Sequence, residues 1–196
     1  ADFSTFFPDL LHTLYYKPAS PHDTAKHAPD PDQHGALIDP KDAFASRVIL
    51  LRAAERTIDI QSYLWRNDTT GTLMFNELIK AADRGVRVRL LLDDNGIRDM
   101  DEVLAALDQH PNMAVRLFNP FSIRKPKTLG FITHFSRANR RMHNKSFTAD
   151  QRATIIGGRN IGDEYFAASD GLLFSDLDVL AIGPVVEDTA LDFDRY

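Results

Sequence analysis

RRMHNKSFTADQRATIIGGRNIGDEYF, running from Arg140 to Phe166, carries the pattern that decides the fold. Met142 to Thr148 alternates with a period of two, as a strand does. Residues two apart on a strand point to one face. His143 and Lys145 therefore share one face, and Met142, Asn144 and Ser146 share the other. Ala149 to Arg152 is polar and turn-like, and Ala153 to Ile156 is a second short apolar run. The spacing predicts a hairpin that presents an imidazole beside an ammonium. His143, Lys145 and Asp150 read H-x-K-x4-D, and Gly157, Gly158 and Asn160 follow closely. An imidazole can attack phosphorus, and an ammonium can neutralise phosphate oxygens as charge builds. Gly157 and Gly158 let a backbone come close to a phosphate, and Asn160 adds a side-chain donor. The pattern calls for neither a thiol nor a metal, and no cofactor is expected.

Upstream of the hairpin, strand and helix patterns alternate. Asp39-Pro40 reads as a helix N-cap followed by proline in the first turn. Ala43, Phe44, Val48, Leu51 and Ala54 then recur at helical spacing. Thr57 to Trp65 alternates as a strand. Thr69 or Thr70 is expected to cap a helix over Gly71 to Arg84, which stops at Gly85. Val86 to Leu92 is nearly all apolar and ends in Asp93-Asp94-Asn95-Gly96, as a buried parallel strand and its loop would. Asp99 to Gln109 reads as a third helix and Met113 to Phe118 as a strand. Downstream, Ile161 to Ala168 suits a short helix, Leu172 to Ile182 a strand and Val185 to Tyr196 a helix. The expected fold class is α/β: a mixed, largely parallel sheet sandwiched by helices.

Two regions stand apart. Ala1 to Tyr16 is rich in aromatics, among them Phe3, Phe6, Phe7, Tyr15 and Tyr16. Pro8 interrupts it, and Pro8 to Tyr16 suits a short helix that packs on the domain or lies in a membrane interface. Lys17 to Gly35 holds Pro18, Pro21, Pro29 and Pro31 and reads as a linker. An arm and linker over residues 1–35 would thus precede one domain over residues 36–196. Asn119 to Asn139 is long, basic and aromatic, and a loop of that length inside a domain is expected at a substrate entrance.

The composition, 43% hydrophobic and 26% charged over 196 residues, is that of a globular chain with a sizeable core. Cysteine is absent, which excludes disulfides and thiolate metal sites. No apolar run reaches the eighteen or so residues that span a bilayer. The first residue is Ala1, so a processed chain or a piece of a longer one is expected, with room for a removed signal or anchor. Charge is unevenly spread. Gln109 to Ala149 holds no Asp or Glu but eight cations: Arg116, Arg124, Lys125, Lys127, Arg137, Arg140, Arg141 and Lys145. Taking those eight from the net charge of -5 leaves -13 on the remainder. A basic block leading into a phosphate-reactive motif suits an anionic partner, lipid or nucleic acid. Asp93 and Asp94 could suggest magnesium at a strand end, but that spacing is too common to use.

The H-x-K-x4-D pattern with Gly157 and Asn160 resembles the HKD motif of the phospholipase D superfamily. Gly158 departs from it, since many members carry serine there. Ala43 to Asp94, Arg116 to Gly162 and Phe174 to Pro184 also resemble the first half of bacterial cardiolipin synthases, the type C branch most. The resemblance implies catalytic roles for His143, Lys145 and Asp150, with Asp150 better suited to securing the hairpin than to touching substrate. It implies phosphate binding by Lys145, Gly157, Gly158 and Asn160. A nucleophilic imidazole needs a carboxylate at its other ring nitrogen. Asp176 and Asp178 are candidates, and Asp176 matches the family's S-D-L-D-V position.

The implied activity is phosphatidyl transfer in two steps through a phosphohistidine, with a second HKD motif protonating the leaving alcohol. This sequence holds one such motif; His134 is followed two residues later by Ser136, not Lys. The other half would come from a missing C-terminal segment or a second copy. A phospholipid such as phosphatidylglycerol would be the substrate. The place would be the face of an anionic membrane, peripherally, at a bacterial inner membrane or envelope. Two other readings stand beside it: a homodimeric phosphodiesterase or nuclease of the same superfamily, and a non-catalytic lipid-binding half-domain.

Overall fold

The computed structural model describes residues 33–121, 140–169 and 174–196. The aromatic arm, most of the linker and most of the basic loop lie outside these residues. The strands are β1 (Gln33–Leu37), β2 (Thr57–Ser62), β3 (Arg87–Asp93), β4 (Met113–Phe118), β5 (Ser146–Ala149), β6 (Ala153–Gly157) and β7 (Asp178–Ile182). The helices are α1 (Pro40–Ala53), α2 (Thr69–Asp83), α3 (Asp101–Asp108) and α4 (Val185–Phe193), with a 3-10 turn at Asp163–Tyr165. β1 begins inside the segment expected to be linker, because Gln33 to Leu37 finds an antiparallel partner in β7.

The strands form a single sheet in the order β1-β7-β6-β5-β2-β3-β4. The α/β class and the mixed sheet are as expected, but the sheet is not largely parallel. Only β2–β3 and β3–β4 run parallel, and the other four pairings are antiparallel. Connection length accounts for the two parallel pairs and for the β5–β6 hairpin. α2 and α3 carry the chain back across the sheet, which parallel neighbours require. A tight turn joins β5 to β6, and a tight turn permits only antiparallel pairing.

Local chemistry fixes the helix ends. Asp39 caps α1, accepting from the backbone N of Lys41 and Asp42, with Pro40 in the first turn. Asp68, rather than Thr69 or Thr70, caps α2: its Oδ1 accepts from Gly71 N at 2.9 Å. Aspartate at this position completes one of the orphan donors of the first turn, for which a free hydroxyl was not needed. Gly85 ends the helix region at φ 93, a left-handed conformation that suits glycine.

Alternation along the strands divides the core. Ile58, Ile60, Leu90, Leu92, Phe147, Ile155 and Leu180 pack with Leu50, Leu51 and Leu78 of α1 and α2. Leu91 points the other way and joins Met142, Phe118 and Phe193 of α4. Trp65 closes the far end of β2. It stacks on Phe75 at 4.5 Å and bridges to Ile97 and Ile161, so the ends of β2 and the motif are tied together.

Candidate active site

The predicted hairpin is present, but regular pairing starts late. β5 opens at Ser146, opposite Gln61 of β2. β2 ends at Ser62, so residues 140–145 have no ladder partner. Met142 packs with Phe193 and Asn144 bonds Asp192, so these two even positions both turn toward α4. Lys145 Nζ donates to the His143 carbonyl at 2.8 Å and stands 3.3 Å from its Nδ1. The imidazole is exposed. Its other support is Tyr63, whose ring lies 4.4 Å away, tilted by 37°. Lys145 Nζ lies 5.8 Å over the same Tyr63 ring. The structure therefore joins imidazole, ammonium and one aromatic ring.

Burial lowers the pKa of Lys145, and the nearby charges of Asp176 and Asp178 oppose that shift. Asp176 was expected at the imidazole. Its carboxylate instead faces Gly158 and acts electrostatically on Lys145. Lys145 is the group found at His143 Nδ1. Asp178 is fully buried and pairs with Arg47 at 2.9 Å and Arg159 at 3.4 Å. Arg159 also donates to the carbonyls of Leu37 and Ile38, which locks the loop after β6 onto the end of β1. Burial lowers the Arg47 pKa despite the Asp178 charge beside it.

The remaining motif residues serve the frame. Asp150 accepts from three backbone N–H groups, those of Glu55, Arg56 and Thr57, at 2.7 to 2.9 Å. Asp150 and Gln151 both have positive φ, at 53 and 54, the combination that a type I′ hairpin turn requires. Asn160, expected to hold phosphate, is buried. Its Oδ1 accepts from Leu64 N at 3.1 Å and its Nδ2 donates to the Tyr165 hydroxyl at 3.0 Å. The glycines also have near neighbours of their own. A Cβ at Gly157 would strike the Asp178 carboxylate and the β7 backbone, and one at Gly158 would strike the Asp176 carboxylate. Their lack of a side chain admits the Asp176–Asp178 segment.

Sequence reasoning missed Tyr63, Arg47 and Arg159. Tyr63 had no signal: extending the antiparallel register beyond Gln61–Ser146 by two residues sets it opposite Asn144, on the face away from His143 and Lys145, and its ring meets the imidazole only because β2 ends at Ser62. Arg47 and Arg159 had none, because an arginine on an amphipathic helix or in a loop normally reads as surface. Among the described residues, no three His, Asp or Glu side chains gather as metal ligands would.

Residues 48–180 match the family described as cardiolipin synthase, PLD-like domain. The chain belongs to that family. Within it, the chain is 62% identical to cardiolipin synthase C of Escherichia coli over 155 residues, which is 79% of this chain and 33% of that protein. It is 30% identical to cardiolipin synthase B of Escherichia coli over 135 residues, 69% of this chain and 31% of that protein. The chain thus spans about a third of these curated relatives. Among solved structures, NucT from Helicobacter pylori superposes with a TM-score of 0.64 at 15% identity, covering 84% of this chain and 94% of that one. The phospholipase D family member Nuc from Salmonella typhimurium superposes with a TM-score of 0.55 at 18% identity, covering 84% and 91%. At such identities the likeness is one of fold. The shared fold is PLD-like, and the β5–β6 hairpin lies within the matched residues 48–180.

Proposed function

We propose that this chain is the first HKD half of a phosphatidyltransferase that joins phospholipids in the manner of a cardiolipin synthase. The observation that carries this reading is Lys145 Nζ held 3.3 Å from His143 Nδ1 on one exposed face of a cardiolipin-synthase-family domain. One nitrogen attacks phosphorus or protonates the leaving oxygen, according to which half plays which part. In the attacking role, the His143 nitrogen forms a bond to phosphorus as the donor's alkoxide leaves with a proton from the second half. An incoming alcohol then returns a proton to the second half, takes the phosphatidyl group and frees the imidazole. Lys145 offsets the charge gathering on the phosphate oxygens. Asp150 and Asn160 act through the backbone, and Asp178 holds the glycine loop with Arg47 and Arg159.

The basic sequence block suits docking to an anionic membrane, peripherally, since no described helix is long and apolar enough to cross one. Arg124Ala, Lys125Ala and Lys127Ala together should weaken binding to phosphatidylglycerol vesicles and flatten its salt dependence; unchanged binding across a salt series would remove this element.

The test uses the full-length protein on phosphatidylglycerol vesicles containing EDTA. Cardiolipin should form in chelator, and His143→Ala should abolish it. Loss in EDTA with recovery on adding zinc or magnesium would contradict the metal-free mechanism. Cleavage of DNA or RNA without lipid turnover would replace this reading with the phosphodiesterase one. Vesicle binding without any turnover would leave a lipid-binding half-domain.

A further inference from the structure

Residues 140–145 lie outside the sheet, so no strand ladder fixes the backbone that carries His143. Side chains do so instead. Asp93, the last residue of β3, is fully buried. Its Oδ2 accepts from Met142 N at 2.8 Å, the peptide immediately before His143. Its Oδ1 accepts from Asn95 N at 2.8 Å and from Arg141 Nη1 at 3.2 Å. The neighbouring Asp94 accepts from Phe121 N at 2.7 Å, and the Arg141 guanidinium lies 4.4 Å over the Phe121 ring. Asn119 Nδ2 donates to the Arg140 carbonyl at 2.8 Å, which completes this clasp. On the other side of His143, Asn144 donates to Asp192 of α4 at 3.0 Å. That second anchor is partly exposed, whereas the Asp93 anchor is dry and charge-assisted, and so the stiffer of the two.

We propose that Asp93 is a positioning residue for His143: its carboxylate substitutes for the absent strand partner and fixes where the imidazole stands. A buried carboxylate is costly unless each oxygen is bonded, and burial accordingly raises the Asp93 pKa against its three donors. An apolar residue would close the end of β3 more cheaply but could not receive the Met142 N–H. The carboxylate thus does for Met142 N what the β2–β5 ladder does for Ser146 to Ala149.

This assignment rests on the reading of His143 as a reacting nitrogen. The experiment compares full-length parent, Asp93→Asn, Arg141→Met and His143→Ala proteins on phosphatidylglycerol vesicles. Turnover is resolved into kcat and KM, melting temperatures are recorded, and the His143 ring is followed by NMR with labelled histidine. Asp93→Asn turns an amide donor toward donors and frees the Met142 segment. Displacement of a reacting group by about 1 Å is worth on the order of 10²-fold. The expected result is a loss of about that size in kcat, with KM within a few-fold and a shifted or broadened His143 signal in folded protein. Arg141→Met, which removes one donor and keeps the carboxylate, should show the same pattern more weakly, and it decides the matter if Asp93→Asn does not fold. Parent-like kcat and an unmoved His143 signal in a folded variant would overturn the assignment while leaving His143→Ala inactive. Full turnover by His143→Ala would overturn the functional reading and this assignment together.

Discussion

At the closed end of the β5–β6 hairpin, Asp150 turns inward and binds three backbone N–H groups of the segment leading into β2. At the open end, His143 is exposed and leans on a tyrosine ring and a lysine. Both residues belong to one motif, yet the first is joined to the fold and the second is held near it. The contrast teaches that the motif contains two kinds of residue. Asp150, Gly157 and Asn160 set backbone geometry, and their loss should appear as stability. His143 and Lys145 face outward, and their loss should appear as chemistry.

The sharpest way to break that division is at Asp150. Asp150→Ala removes the acceptor of three N–H groups, two of them at exposed Glu55 and Arg56 where water can take its place. A loss of about 1–3 kcal/mol is expected in urea unfolding, with His143→Ala within about 0.5 kcal/mol of the parent. Equal effects of the two substitutions would erase the distinction. The two glycines give a finer comparison. At Gly157 a new Cβ meets the β7 backbone, which cannot swing aside; at Gly158 it meets the end of the Asp176 side chain, which can. Gly157→Ala should therefore cost about 1–3 kcal/mol, as overpacking does, and Gly158→Ala clearly less. Crystal structures of both variants would show whether Asp176 moves only in the second.

A smaller effect concerns the open end alone. Burial lowers the Lys145 pKa, so the ammonium is lost at a lower pH than in an ordinary lysine. The alkaline limb of kcat in the full-length enzyme should lie below the usual lysine range. Asp176→Asn removes a charge that favours the ammonium and should move the limb lower still. A limb that moves upward would contradict the electrostatic link. The smallest effect lies far from the hairpin. Hydrogen bonds from Arg52 and Lys80 lower the Glu77 pKa to about 2. Its contribution is therefore present above the unfolded glutamate value and lost as pH falls through about 2. Arg52 and Lys80 are 65% and 64% exposed, so screening limits this to about 1 kcal/mol or less. The difference in urea stability between the parent and Glu77→Gln should shrink on acidification.

Local signals were legible in the sequence. Met113 to Phe118 forms the expected strand, Asp39-Pro40 opens α1, and Gly85 follows α2. The hairpin and the His143–Lys145 pair follow from a period of two. Signals that depend on distant partners were not legible. Arg47 meets Asp178 across 131 positions, and nothing local marks either as buried. Asp93 read as an ordinary strand-end acid because Met142, its partner, lies 49 positions away. The alternation from Met142 predicted a longer strand than forms, since alternation reports facing and not the presence of a neighbour. The glycines signalled close approach, but the sequence did not say that the approaching group is the chain's own Asp176–Asp178 segment.

In the proposed reading, one HKD motif would supply one of two groups: an attacking nitrogen, or an acid for the leaving oxygen on the other side of phosphorus. Acid assistance is worth about 10²–10⁴-fold, and a second half would add preorganised phosphate donors. The most direct measurement is phospholipid turnover by this chain against its concentration, with light scattering recording its mass. The expected result is no turnover by the monomer, with hydrolysis returning only where two copies associate and bring two His143 side chains together. Robust turnover by a proven monomer, independent of concentration, would contradict the half-site.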